Sequence, residues 1–359
     1  MRSHTSTVAP DWTHASSARL WRPPLGARPW WIVIGLALAL VWLPRVGGDY
    51  LFSAVLVPWL VLSLAGLGLN LLTGYAGQLS VGSAAFMCVG AFASYNLLLR
   101  LPGLPLPAGL LLGGAVAAAF GVLVGLPSLR IKGFYLIVST LAAQFFVPWL
   151  FVRFGWFSNH NPSGVISAPR LVVAGQDLSS PAGRYLLTLA VVLLLTLLAR
   201  NLANGDIGRQ WRAVRDMDTA AEVIGIPVRR AKLLAFAVSS FYLGVAGALW
   251  AFAYVGTVEP HGFDLARSFQ VLFIVILGGL GSVAGAFLGA AFMVLFPILL
   301  SNLATQWLAG LIDPGNFENA QKIVLGSLII FILIREPEGL WRLLQRRWQR
   351  WRSWPLSAP

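Results

Sequence analysis

The chain reads as an all-α polytopic membrane protein, and three observations lead there. It is 57% hydrophobic and only 11% charged, with a mean hydropathy of +0.75. A soluble domain cannot hide that much apolar surface. The apolar residues gather in repeated runs of spanning length. The basic residues stand at the ends of those runs, in one charged stretch and in the C-terminal tail. That placement is the pattern of membrane topology, so the net charge of +13 does not point to nucleic acid.

Residues 1–29 form a polar arm, rich in Ser and Thr and carrying arginine. Such a composition predicts a disordered cytoplasmic segment. The arm is too long for an ordinary signal-peptide n-region, and no small-x-small site follows Leu43, so segment 30–43 reads as an uncleaved anchor. Further apolar segments follow at about 50–72, 78–99, 105–126, 131–152, 183–200, 232–255, 268–280, 283–305 and 319–335, which makes about ten crossings. Two of these are short. Trp30–Leu43 rises roughly 21 Å as a helix against a hydrocarbon core of about 30 Å, and 268–280 is of similar length and leads into a glycine cluster. Both are open to tilted, interfacial or half-crossing placement.

Ten crossings put both termini on one side. That side then holds 19 of the 26 basic residues, which makes it the cytoplasm. The longest outer connection is 153–182 and the longest inner one is 201–231. The tail, 336–359, places Leu340, Trp341, Leu344, Trp348 and Trp351 on one helical face, with arginines filling much of the rest. This fits an amphipathic helix lying against anionic membrane lipid; a basic flank without fixed structure fits equally.

Within the spans, Gly281, Gly285 and Gly289 form a small-xxx-small ladder, and Gly121 and Gly125 form another. Each predicts a close helix–helix contact in lipid. Pro58, Pro148 and Pro297 fall inside spans and are expected to kink or break them. The intramembrane polar residues are few, chiefly Asn70, Gln78, Ser80, Ser83, Asn96, Ser139, Thr140 and Gln144, and no acidic residue falls mid-span. Ion-coupled carriers and ion channels usually need such carboxylates or charged rings. The chain has no Walker A sequence. The single cysteine, Cys88, excludes an intrachain disulfide, and the four histidines have no metal-ligand spacing. No His/Asp/Glu group can assemble within the bilayer, so an intramembrane enzyme is disfavoured.

The most informative stretch is Arg209–Lys232, RQWRAVRDMDTAAEVIGIPVRRAK, a charged insert between two apolar segments. Thr219–Ile224 predicts a short helix that Gly225 stops and Pro227 keeps from continuing. A pore has no use for such an insert, whereas a pore worked by a cytoplasmic motor needs a handle. A solvated loop with a positive-inside bias fits the composition equally.

Four blocks, in order, resemble one family. Leu69–Phe86, LNLLTGYAGQLSVGSAAF, is similar to the N-T-G-x-x-G-Q-x-S-x-G-x-x-A-F signature of LivM-type permeases, the membrane subunits of ABC importers for branched-chain amino acids (the hydrophobic amino acid uptake family). The segment from Arg130 through Gly133, Tyr135 and Thr140 is similar to the family's L-R-x-x-G-x-Y-x-x-x-x-T-L-A. Arg212, Arg215 and Asp216, followed by Ala220, Ala221, Glu222 and Gly225, resemble its ATPase-contacting loop. Gly278, Gly279, Gly281, Gly285 and Gly289 resemble its late glycine block. The similarity covers roughly 50–335 and leaves out the arm and the tail. It departs at Ser158–Val165, SNHNPSGV, where the family often has a T-G-G-x-x-G-L-like stretch on the side where a binding protein docks.

The resemblance implies the large-helix-number, type II-like importer fold. It implies a second, LivH-like permease, two ATPase subunits that use the ATP, and a periplasmic substrate-binding protein. The chain itself then needs no cofactor or metal and is no enzyme, and its place is a bacterial-type inner membrane. Arg212, Arg215, Asp216, Ala221, Glu222 and Gly225 become the coupling loop. Gly77, Gln78, Ser80, Gly82, Gly278, Gly279, Gly281 and Gly285 become residues of the pathway or of helix packing. Branched-chain amino acids are the expected cargo; urea, short amides or another small organic solute remain open, as does a passive channel.

Overall fold

The computed structural model describes residues 48–128, 134–161, 164–169, 171–173, 175–307, 314–336 and 338–353. The N-terminal arm, segment 30–43, the turn with Arg130 and Lys132, and the end of the tail lie outside the described residues. The remainder is almost wholly helical. The helices are α1 (Val57–Asn70), α2 (Ser83–Arg100), α3 (Leu106–Ser128), α4 (Phe134–Arg153), α5 (Pro181–Asn204), α6 (Asp206–Asp216), α7 (Asp218–Val223), α8 (Val228–Leu249), α9 (Leu265–Gly278), α10 (Val283–Trp307), α11 (Pro314–Arg335) and α12 (Leu340–Ser353). Seven described helical segments are long and apolar enough to cross a membrane; α2 and α11 add helices of 18 and 22 residues.

α1 is the axis of the bundle. Wider, π-helical turns at Leu51–Leu56 and Leu71–Tyr75 extend it to 25 residues, and every residue from Val57 to Asn70 except Trp59 is buried. It packs on α5, α8, α9 and α10, while α2, α3 and α8 form a second tight group joined to it through α8. The outer helices turn apolar residues outward, among them Leu123, Phe145, Leu194 and Leu299. Within a bilayer such a face needs no covering.

Gly121 and Gly125 meet Ser240 and Phe236 of α8, as the ladder predicts. Three other expectations are corrected. The segment drawn as 78–99 is not helical at its start: the chain is irregular through Gly77–Gly82, and α2 begins at Ser83. The segment drawn as 268–280 starts upstream, as a tight turn at Pro260–Phe263 followed by α9, and ends at Gly278. Gly281 lies off the helix, because Gly279 and Gly281 hold φ of 106° and 74° in the break before α10. The close approach is made instead by Gly285 and Gly289 of α10, which face Gly278 and Ile274 of α9. Both breaks occur where glycines allow the left-handed backbone that other residues resist.

The prolines do not interrupt their helices. Pro58 opens α1 after the wide turn, and Pro148 and Pro297 sit inside continuous α4 and α10. The connection between α4 and α5 takes part in two small antiparallel pairs. Ile166–Ser167 joins Thr257–Val258, and Val172–Val173 joins Gln176–Asp177. The first pair fixes this connection to the turn leading into α9. The tail forms α12, anchored where it starts: Gly339 abuts Gly279 so closely that a Cβ would lie 2.4 Å from the Gly279 Cα.

Candidate functional site

The charged connection 201–231 is a built structure. α6 is amphipathic and buries Trp211 and Val214. The Trp211 indole donates to the Ala231 carbonyl at 3.0 Å, and Arg212 donates to the Ala203 carbonyl at 3.2 Å. α7 buries Ala221 and ends in a left-handed Gly225 with φ 88°. The Gly225 N–H returns to the Glu222 carbonyl and the Ile226 N–H to the Ala221 carbonyl, both at 3.0 Å. This is a Schellman stop, which satisfies carbonyls that the helix end leaves free. Asp218 and Lys232 form an ion pair that ties α7 back to α8.

The exposed face of this connection is mixed. Glu222 points to solvent beside Val223, 86% exposed, and Ile224, 72% exposed, with Met217 also exposed. Large apolar side chains are thus exposed beside the charges of this connection. The sequence reading singled out the charges and passed over the apolar members, which a hydropathy scan treats as ordinary helix residues.

Arg215 reaches from the charged connection to the end of the α1 segment. Its Nη1 donates to the Gly74 carbonyl at 2.8 Å, and its Nε donates to Asp216 at 2.9 Å. Its stem covers Gly77, where a Cβ would lie 2.6 Å from the Arg215 Cγ. Gly74 in turn meets the second break: a Cβ there would be 2.3 Å from the Gly281 nitrogen. Asn70 holds the same contact from the side. Its Oδ1 accepts from the Gly281 N–H at 2.9 Å, and its Nδ2 donates to the Ser282 carbonyl at 2.8 Å. The hydrogen-bonded pair Arg215–Gly74 and the hydrogen-bonded group Asn70–Gly281–Ser282 thus pack directly on each other and form one node between the charged loop and both helix breaks. In the sequence Asn70 stands as a polar residue inside a span and within the block Leu69–Phe86, with nothing to indicate its partners.

The irregular stretch Gly77–Gly82 is largely buried in the bundle, and a side chain from another helix meets its backbone. The Val81 N–H donates to Thr140 Oγ1 at 3.2 Å, and a Cβ at Gly82 would lie 2.4 Å from the Thr140 carbonyl oxygen. The first turn of α2 lacks intrahelical acceptors. The Ala84 N–H donates to Ser268 Oγ at 2.9 Å, and the Ala85 N–H donates to Gln144 Oε1 at 2.8 Å. Gln144 also donates to the Phe263 carbonyl at 2.8 Å. Gln78 and Ser80 are buried, with Gln78 Oε1 left unpartnered, while Gly77 and Leu79 face outward. Gly278 and Gly285 serve close packing: a Cβ at Gly278 would meet the Gly285 carbonyl oxygen at 2.0 Å. Gly279 lies instead against the Glu338 carbonyl. Arg215 gathers one group of these residues and Thr140 with Gln144 a second, while Ala221, Glu222 and Gly225 shape the end of α7 and Gly278 and Gly285 pack α9 on α10.

The profile of the branched-chain amino acid transport system permease component matches residues 51–333. The high-affinity branched-chain amino acid permease protein LivM of Escherichia coli is 31% identical over 86% of this chain and 74% of its own length. The probable LivM of Methanocaldococcus jannaschii is 25% identical over 81% of this chain and 93% of its own length. The autoinducer 2 import permease LsrC of an Enterobacter species is 29% identical over 71% of this chain and 74% of its own length. No solved structure matches.

Proposed function

The chain belongs to the branched-chain amino acid transport permease family of ABC importers, and from that premise we propose that it forms half of an ATP-driven translocation pathway for branched-chain amino acids. It is a multi-pass permease of the membrane. The observation that carries the proposal further is the node at Arg215, which links the partner-facing inner connection to both breaks in the helix bundle. The other half of the pathway is a LivH-like second permease, two ATPase subunits engage α6 and α7, and a periplasmic binding protein delivers the solute. ATP binding closes the ATPases, α6 and α7 move with them, and the paired permeases open their seam to one side and then the other. The stretch Gly77–Gly82, with Leu79 turned outward, adjoins that seam.

Glu222 and the apolar cluster form the ATPase contact. Single rim charges contribute only about 0.2–1 kcal/mol each, so the geometry of the helix end matters more. Gly225→Val places a β-branched residue at φ 88°, which opposes it by roughly 1–2 kcal/mol and misdirects the chain leaving α7. Glu222→Lys acts by charge reversal. Both variants should insert normally while ATPase pull-down and leucine uptake fall together. Full assembly and full uptake in both would place the contact elsewhere.

The same reading puts the termini and the inner connection in the cytoplasm. In a Cys88→Ser background, Gln176→Cys should react with an impermeant thiol reagent applied outside, and Thr219→Cys should be protected until the membrane is opened. Both positions are exposed. External labelling of Thr219→Cys would reverse the orientation.

A further inference from the structure

A cavity of about 390 Å³ opens at the far end of α8 from the coupling helices, between the start of α1, the turn at Pro260–Phe263, α9 and the second half of α10. Its size falls within the range of about 300–1,000 Å³ typical of small-molecule sites. One wall is apolar, built from Leu62, Met293, Val294 and Ile298. The other holds two opposite charges. The Arg267 guanidinium stacks on the Trp250 ring at 4.1 Å and donates from Nη1 to Gln270 at 2.5 Å. Its Nε is buried with no hydrogen-bond partner. Glu259, half-buried, lies over Gly262, where a Cβ would sit 3.5 Å from its Oε1. Among the described residues Glu259 and Arg267 form no ion pair, with each other or with any other group.

Gln270 and the Trp250 ring contact the Arg267 guanidinium, and Asp264 lies near it. The guanidinium Nε nevertheless keeps no hydrogen-bond acceptor, and among the described residues Glu259 has no cation in ion-pair range. A half-buried charge so placed is disfavoured, and a donor left unmade is costly. Two such charges of opposite sign on one cavity, facing an apolar wall, match a small dipolar molecule with an apolar side chain. We infer that this cavity is a solute site for a free α-amino acid: Arg267 takes the carboxylate, Glu259 takes the ammonium, and the side chain lies against Met293, Val294 and Ile298. The fixed guanidinium suits a planar carboxylate. The inference rests on the transport reading above and adds to it a resting place within the permease. Sequence alone hid the pair, because Glu259 and Arg267 fall in a connection and at a segment edge rather than mid-span.

The test uses the complete transporter in membrane vesicles, without ATP, carrying Cys88→Ala and Ile298→Cys. L-leucine should slow thiol labelling of the introduced cysteine saturably. 4-Methylpentanoate, which lacks the ammonium, and 3-methylbutylamine, which lacks the carboxylate, should each need about tenfold higher concentration or more. Arg267→Gln and Glu259→Gln should each raise the leucine concentration required by a similar factor. No protection by leucine, equal protection by the two analogues, or protection unchanged in both variants would overturn the inference. Protection given only by ligand-loaded binding protein would also overturn it, making the cavity a docking surface. Leucine uptake in the same vesicles, with ATP, separates the two readings. Uptake without protection defeats this site alone, and protection without uptake defeats the transport reading alone.

Discussion

Replacing Gly90 with leucine is expected to abolish accumulation of the folded protein, whereas Gly326→Ala should leave it intact. Gly90 of α2 faces Gly244 of α8, and a Cβ there would lie 2.2 Å from the Gly244 oxygen and 2.3 Å from its Cα. Gly244 is closed from its other side by Ala117 and Gly114 of α3. One turn along α8, a Cβ at Gly247 would meet the Met87 oxygen at 2.0 Å. These are backbone contacts, so no side chain can swing aside. Overpacking of this kind costs about 1–3 kcal/mol for a small insertion, which sets the expectation for Gly90→Ala; the three further carbons of leucine have no space at all. Gly326 has nothing within 4 Å, and alanine favours helix over glycine by about 1 kcal/mol. The measurement is the amount and thermal midpoint of each variant in detergent. A Gly90→Leu variant with wild-type yield and midpoint would mean that α2 and α8 do not touch there.

This three-helix seam shows where sequence reasoning reached and where it stopped. Gly121 and Gly125 stand four apart on one helix, so their ladder was legible and meets α8 as expected. Gly90, Gly114 and Gly244 stand on three different helices, and no spacing in the sequence connects them. The late glycine block misled for a related reason. Glycines at four-residue intervals read as one ladder that includes Gly281, yet positive φ at Gly279 and Gly281 places Gly281 in the break between α9 and α10. The stretch before α2 had the same ambiguity. Hydropathy marks Gln78–Gly82 as buried, which it largely is, but it cannot report that Thr140 and other distant side chains take up its backbone hydrogen bonds.

The charged loop was legible because its signals are local. Gly225 follows a short helix-forming run, and the Schellman hydrogen bonds from Gly225 and Ile226 follow from that order of residues. What Arg215 does was not legible, since its partner at Gly74 is 141 positions away. The family resemblance brought the four blocks into view one at a time; their convergence around Asn70, Arg215 and Thr140 is a property of the folded chain alone.

Arg215→Ala should therefore uncouple transport without dissolving the complex. The side chain contributes little to the exposed face formed by Glu222, Val223 and Ile224, so ATPase pull-down should stay near wild type. Its loss frees the Gly74 carbonyl and separates α6 from the two breaks. A hydrogen bond to a charged group contributes about 1.5–3 kcal/mol. The Arg215 side chain is 37% exposed, so the lower end applies, and uptake should fall about tenfold. Arg215→Lys keeps the charge but lacks the fork that serves Gly74 and Asp216 together, so it should recover only part of the loss. ATP hydrolysis by the assembled complex should persist in both variants. This profile differs from that of Glu222→Lys, in which association and uptake fall together. Unchanged uptake in Arg215→Ala would mean that motion of α6 and α7 reaches the pathway by another route, through the Trp211 and Lys232 contacts with the start of α8.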